Sequence, residues 1–437
     1  MKLDLEDMTI GSAGFNFVRT LSVAATGGAD FAECLIAARR IREGDDESWV
    51  REWAALAGRV QQAAEAATRS GDIPASRGAF LRASNYFRTA MFSLPPADPR
   101  LGEYLTLSRE QFHRAAQLSS PPIEILEIPF GEARLPAYFL GPGGARRPTL
   151  IVVNGGDSTN EEMAHWVGFS AVARGWNCLV FEGPGQWSAL QLNPGLRLRA
   201  DYEAPVAAVI EVLLQRGDVD PQHLAIIGYS LGAQLAARAA ALDPRISACI
   251  CDGLVTDVNA AWQATWPPVL RKAPPAVFDL VFSLFERISP PLRTFTNHFR
   301  FSMGVTKPHE VFDGWRPFSI EGLAPRTRCP MLLLFGEDEF AQSDQTVAVG
   351  VLQYVSELTC PVAIHEFGYD AGWAASHCQV GALAGAQSVI FDWLDKTLDE
   401  GLDCMWRGQP HDWALMDKYY RSPVFTRLKA SVRMVQA

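Results

Sequence analysis

From residue 122 onward the chain alternates short, fully apolar runs with helix-forming stretches, and this alternation limits the fold more than any other feature. The runs are TLIVVN (149–154), NCLVFE (177–182), LAIIG (224–228), SACICD (247–252) and MLLLFG (331–336). A strand that is apolar on both faces must be covered on both faces. The runs therefore predict a mostly parallel sheet between two helical layers, an α/β fold. IEILEIPF and RLPAYFLG, just ahead of them, look like a strand pair.

Two stretches fall outside the alternation. Residues 1–121 show no strand pattern. A helix is predicted from Glu47 to Thr68, because Trp49, Trp53, Leu56, Val60, Ala64 and Ala67 recur at helical spacing. Gly71 ends it. A second helix is predicted from about Ser76 to Phe92, stopped by Pro95-Pro96, and a third opening at Ser108 as its cap. The second stretch, 256–322, is rich in aromatics and prolines and reads either as a helical lid packed on itself or as one whose inner face lines an apolar substrate pocket. The expected organisation is an N-terminal helical cap (1–121), a catalytic core in two parts (122–255 and 323–400), the lid insert between them, and a C-terminal extension (401–437).

The chemistry is concentrated around LAIIGYSLGAQLAARAA. Gly228, Ser230 and Gly232 form G-x-S-x-G. The five letters alone recur by chance, but here an apolar strand runs into Gly228 and an Ala-rich helix follows Gly232. That is the setting of a nucleophile elbow, in which glycines make room for a serine held in a strained turn. The helix start points its free N–H groups at any oxyanion formed there. A serine hydroxyl needs a base, and the base an orienting acid, in the chain order Ser, Asp or Glu, His. His377 lies in a loop leading into the last helix. His365 sits inside a strand and reads as structural, while His113, His165, His223, His298, His309 and His411 lack the position. For the acid, MLLLFGEDEF offers Asp338, which is preferred, and Glu339 as the alternative. The oxyanion hole is assigned to the N–H of Leu231 and that of Gly156 or Asp157, in VVNGGDST.

Composition narrows the partners. Lys plus Arg number 39 against 49 Asp plus Glu, a net charge of −10, which disfavours nucleic acid. The first residues carry acids where a secretory peptide needs bases, and no long uncharged apolar run follows, so a cytoplasmic protein without a membrane partner is expected. The eight cysteines show no paired metal-ligand spacing and read as reduced, packed thiols, with Cys249 and Cys251 on one strand face. Neither a metal nor an organic cofactor is expected. A small-molecule substrate is, and a homodimer stays open.

SRGAFLRASNYFRTAMF, NGGDSTNEE, FEGPGQ, ADYE, GYSLGA with RAAALDPRISA, and HCQVGA before FDWL together resemble the α/β-hydrolases with an N-terminal helical cap. That group contains dihydroxypseudooxynicotine hydrolase, FrsA-like proteins and acylaminoacyl-peptidase-like sequences. The resemblance runs from about Trp49 to Leu398. It implies the α/β-hydrolase fold and cleavage of an ester, thioester, amide or ketone-adjacent C–C bond. Two departures stand out: Trp187 occupies a position where such chains commonly have Gly, and the GEDEF turn is one residue short. The expected function is a serine hydrolase acting on a small to medium apolar or aromatic carbonyl compound. Its rivals are non-hydrolytic acyl transfer or cyclisation by the same site, and a catalytically silent regulatory partner.

Overall fold

The computed structural model describes residues 4, 7, 9–342 and 345–399, so the extension 401–437 lies outside the described residues. Eight strands form one sheet: β1 (Glu124–Phe130), β2 (Ala133–Leu140), β3 (Arg147–Val153), β4 (Asn177–Phe181), β5 (Val219–Tyr229), β6 (Ala248–Asp252), β7 (Met331–Gly336) and β8 (Val362–Phe367). Their order is β1-β2-β4-β3-β5-β6-β7-β8. The β1–β2 and β2–β4 pairs are antiparallel and the rest parallel. This is the α/β-hydrolase fold. Strands β4, β6 and β7 are buried along their whole length, as their unbroken apolar runs require. Val153 pairs with Gly228, Gly228 with Cys251 and Asp252 with Leu334. The loops that leave β3, β5, β6 and β7 consequently open at one edge of the sheet, where ligands of open parallel sheets bind.

The N-terminal region folds as α1 (Ala13–Ser22), α2 (Phe31–Ala38), α3 (Asp46–Ser70), α4 (Ile73–Met91) and α5 (Pro99–Gln117). The apolar stripe of α3 packs on α4 around Trp53, which is fully buried and 5.6 Å from the ring of Tyr86. The third predicted helix begins ten residues earlier than expected, with its cap at Asp98 instead of Ser108. Asp98 caps it, accepting from the Arg100 N–H at 2.9 Å, and Pro99 fills the first position, where a missing N–H costs nothing. Ser108 is therefore not a cap. It sits mid-helix, buried, and its hydroxyl donates to the Ser84 carbonyl at 2.9 Å, joining α5 to α4.

A buried ion cluster fastens these helices to the loop after β3. Arg19 of α1 donates to both Glu162 oxygens at 2.6 Å and to Asp157 Oδ2 at 2.7 Å. Arg88 of α4 lies 3.0 Å from Glu162 Oε1 in an ion contact and donates to Asn85 Oδ1. Both arginines and Glu162 are almost wholly out of solvent. Such charges are tolerable only as a complete set, since each supplies the counter-charge that water no longer does.

Between β6 and β7, residues 256–322 carry the helices Val258–Ala264, Pro268–Arg271, Pro275–Ile288, Pro290–Met303 and Pro308–Gly314. The seven described cysteines are free and buried, and Cys249 and Cys251 share a face with sulfurs 3.8 Å apart. Among the described residues no helix is long and apolar enough to cross a membrane.

Truncating Arg88 to alanine removes one of the two buried cations that neutralise Glu162 and Asp157 and leaves a cavity beside them, so R88A is expected to lose about 3–5 kcal/mol of stability. R316A, at an exposed ion pair, should lose no more than about 0.5 kcal/mol. Urea midpoints for the two variants check this; equal values would mean that the cluster does not hold the cap.

Candidate active site

β5 delivers Ser230 directly into the helix Leu231–Leu242. Ser230 has φ 55° and ψ −122°, a conformation that a residue with a side chain rarely adopts, and its N–H donates to the Asp252 carbonyl at 2.7 Å. A Cβ on Gly228 would stand 1.9 Å from the Gly232 carbonyl oxygen, and one on Gly232 2.3 Å from that of Val153. The turn closes so tightly that only hydrogen fits on either side of the serine. Leu231 opens the helix, so its N–H has no partner within the helix and faces the site with the positive end of the helix dipole.

His377 lies past β8 with Nε2 2.9 Å from Ser230 Oγ. Its Nδ1 is hydrogen-bonded to Glu339 Oε1, while the other Glu339 oxygen accepts the Gly336 N–H at 2.7 Å. The expected acid, Asp338, is thereby corrected: it turns away and accepts from the Tyr369 hydroxyl. The reason is helical phase. β7 runs without a loop into a helix at Glu337, and each step along a helix rotates the side chain by about 100°. The third residue of that turn points back over the strand end, and the second does not. Gly253 makes the approach feasible: at φ 76° its missing Cβ would lie 2.8 Å from Glu339 Oε1 and 3.0 Å from His377 Cε1.

Two further groups surround the imidazole. Cys378 Sγ is 3.5 Å from His377 Nε2, and burial pushes its thiol well above the usual range, so it is a neutral neighbour. Asp252, fully buried behind Gly253, has its carboxyl pushed well up by burial and then by the charge of Glu339. Four other histidines have local partners elsewhere: His113 meets Tyr138, His165 meets Thr26, His223 meets Asp220 and His309 meets Asp279. His365 packs on Phe367 within β8.

The loop Asn154–Asp157 passes over the elbow. A Cβ on Gly155 would lie 3.5 Å from that of Ser230, and one on Gly156 would meet Phe299 at 2.8 Å and Leu231 at 3.7 Å. The Trp187 indole N–H donates to the Asp157 carbonyl at 2.8 Å, pinning the loop. A cavity of about 200 Å³ opens above Ser230 and His377. Of the insert's aromatics, Trp262, Phe295, Phe299, Phe301 and Trp315 line it. Trp266, Phe278 and Phe282 pack against one another instead, with Trp266 and Phe282 rings 4.9 Å apart. Trp187, the departure noted in the sequence, forms part of the wall, with its ring 4.6 Å from that of His298 and tilted 49° to it. Two wall residues escaped the sequence reading. Arg19 comes from a helix outside the recognised motifs, and His298 lacks the chain position of a base. Burial lowers His298 to about 4, which leaves it neutral. Periodicity reports which residues face a core, and neither of these carries that signal.

Residues 150–359 match the alpha/beta hydrolase family. Over 413 residues the chain is 32% identical to hydrolase acrC of Aspergillus aculeatus, covering 88% of this chain and 96% of that protein. The chain belongs to the alpha/beta hydrolase family. It is also 30% identical over 402 residues to 20-hydroxy-prefusarin hydrolase FUS2 of Gibberella moniliformis, with 88% and 96% covered. Among solved structures, the hydrolase fold of 2,6-dihydroxy-pseudo-oxynicotine hydrolase superposes with a TM-score of 0.68 at 22% identity, covering 87% of this chain and 96% of that one.

The His377–Glu339 contact has a spectroscopic consequence. The Nδ1 proton of His377 should resonate far downfield of the amide region in the intact protein and in D338N, and disappear in E339Q. A signal surviving in E339Q but lost in D338N would assign the partner to Asp338.

Proposed function

We propose that the chain is a serine hydrolase in which Ser230 is the nucleophile, His377 the general base and acid, and Glu339 the acid that orients it. The unbroken line from Glu339 through His377 to Ser230 Oγ, 2.9 Å from Nε2, carries this reading. Glu339 fixes the proton on Nδ1, so Nε2 is free to take the Ser230 proton as Oγ attacks a carbonyl carbon. The oxygen of the resulting tetrahedral intermediate is assigned to the N–H of Leu231 and that of Gly156 or Asp157. Donors fixed by a helix start and a pinned loop need no reorganisation as charge develops. His377 then protonates the leaving group, and water or another acceptor releases the acyl group.

The substrate fits the class of small to medium apolar or aromatic carbonyl compounds. Aromatic rings supply much of the cavity wall, and the N-terminal helices and the insert close over the sheet edge, which leaves no room for a folded protein. FUS2 is named for action on 20-hydroxy-prefusarin, in line with a hydrolase reading. The same walls support a second one, in which the acyl group passes to an internal nucleophile and closes a ring because water is excluded. Product formed in ¹⁸O-labelled water separates the two: hydrolysis incorporates the label and cyclisation does not. A silent regulatory role has no observation in its favour.

S230A is expected to fold normally, to lose fluorophosphonate labelling and to reduce turnover of an activated ester by at least ~10³-fold. E339Q should lose about 10²–10⁴-fold in kcat, whereas D338N stays within about threefold. Normal labelling of S230A would overturn the assignment.

A further inference from the structure

The cavity beside Ser230 is walled mainly by apolar and aromatic side chains, with Arg19 and His298 among its polar groups and Asp157 as the one carboxylate among its described lining residues. Asp157 lines it together with Ser230 and His377, and its side chain keeps 45% of its surface although the residue sits deep in the fold. That surface faces the cavity. One carboxylate oxygen, Oδ2, receives Arg19 at 2.7 Å. The other, Oδ1, has no partner among the described residues and opens onto the substrate space. Its position is set in advance: Arg19 is clamped by both oxygens of Glu162, and the Asp157 carbonyl is held by Trp187. The group stays ionised, because Arg19 outweighs the cost of burial and holds the carboxyl down at about 2.

We propose that Asp157 Oδ1 accepts a hydrogen bond from a neutral donor, a hydroxyl or amide N–H, carried by the substrate near its scissile carbonyl. The inference rests on the serine hydrolase reading and names the substrate class of that site. An ionised oxygen facing aromatic walls loses its water when an apolar substrate enters, so a substrate without a donor binds against that loss. A neutral donor restores the bond. An ammonium group is the poorer fit, since the Arg19 guanidinium already occupies the same carboxylate and would repel a second cation. Proximity to the reacting carbonyl follows from chain position, because Asp157 directly follows the loop glycine that faces Leu231.

Four p-nitrophenyl esters of one acyl chain, bearing at C3 a hydroxyl, a methoxy, an ammonium or a hydrogen, test the inference. The wild type should prefer the hydroxy over the methoxy and unsubstituted esters by about 10–10²-fold in kcat/KM, with the ammonium ester below the hydroxy one. In D157N the amide oxygen stays with Arg19 and the N–H₂ group turns to the cavity, so the preference should fall below about threefold. Fluorophosphonate labelling of Ser230 in D157N shows that the fold and the nucleophile survive. Calorimetric binding of the hydroxy and methoxy esters to S230A makes the same comparison without touching Asp157, should D157N fail to fold. Labelled, active enzyme with no hydroxyl preference, a preference that survives in D157N, or an ammonium ester turned over fastest would overturn this inference alone. Absence of labelling in the wild type would overturn the serine hydrolase reading instead.

Discussion

Everything at the site depends on the backbone of Ser230. At φ 55° the residue departs from both the strand behind it and the helix ahead of it, which lifts Oγ off the sheet edge while the helix start stays directly beneath. Such a conformation persists only where the surroundings over-determine it. Here the Ser230 N–H is tied to Asp252 on the next strand, and Gly228 and Gly232 let the turn close on itself. Because β3, β5, β6 and β7 end in register, the loop Asn154–Asp157, the elbow, Gly253 and the helix carrying Glu339 meet at one edge without long connections.

The N-terminal helices do more than cover that edge. Arg19 and Arg88 reach across to Glu162 and Asp157, so the loop beside Ser230 is braced by charges from α1 and α4. Buried charges of this kind add specificity of placement more than stability, since removing any one is costly while the complete set merely balances its desolvation. The bracing carries over to the cavity. The residue that receives Arg19 on one oxygen also lines the cavity. The insert divides its labour as well, with one aromatic group building its own small core and the other forming the wall above Ser230.

The sequence by itself determined the sheet and the strand-turn-helix around Ser230, and it singled out His377, which the fold brings to the Ser230 hydroxyl. Unbroken apolar runs can only be strands covered on both faces, and a glycine pair around a serine between strand and helix admits one geometry. Helix α3 and its Gly71 stop were equally legible, because the apolar repeat and the left-handed cap are local properties. Only the tertiary structure decided between Glu339 and Asp338, since the choice depends on whether the chain enters a helix directly at the end of β7, and two adjacent acids carry no record of that phase. It alone moved the start of α5 from Ser108 to Pro99, where a buried hydroxyl serving a neighbouring helix mimics a cap in the sequence. It alone brought Arg19, Trp187 and His298 to the cavity. These residues come from segments far apart in the chain, and their meeting depends on how helices pack over the sheet, which a local pattern of residues does not encode.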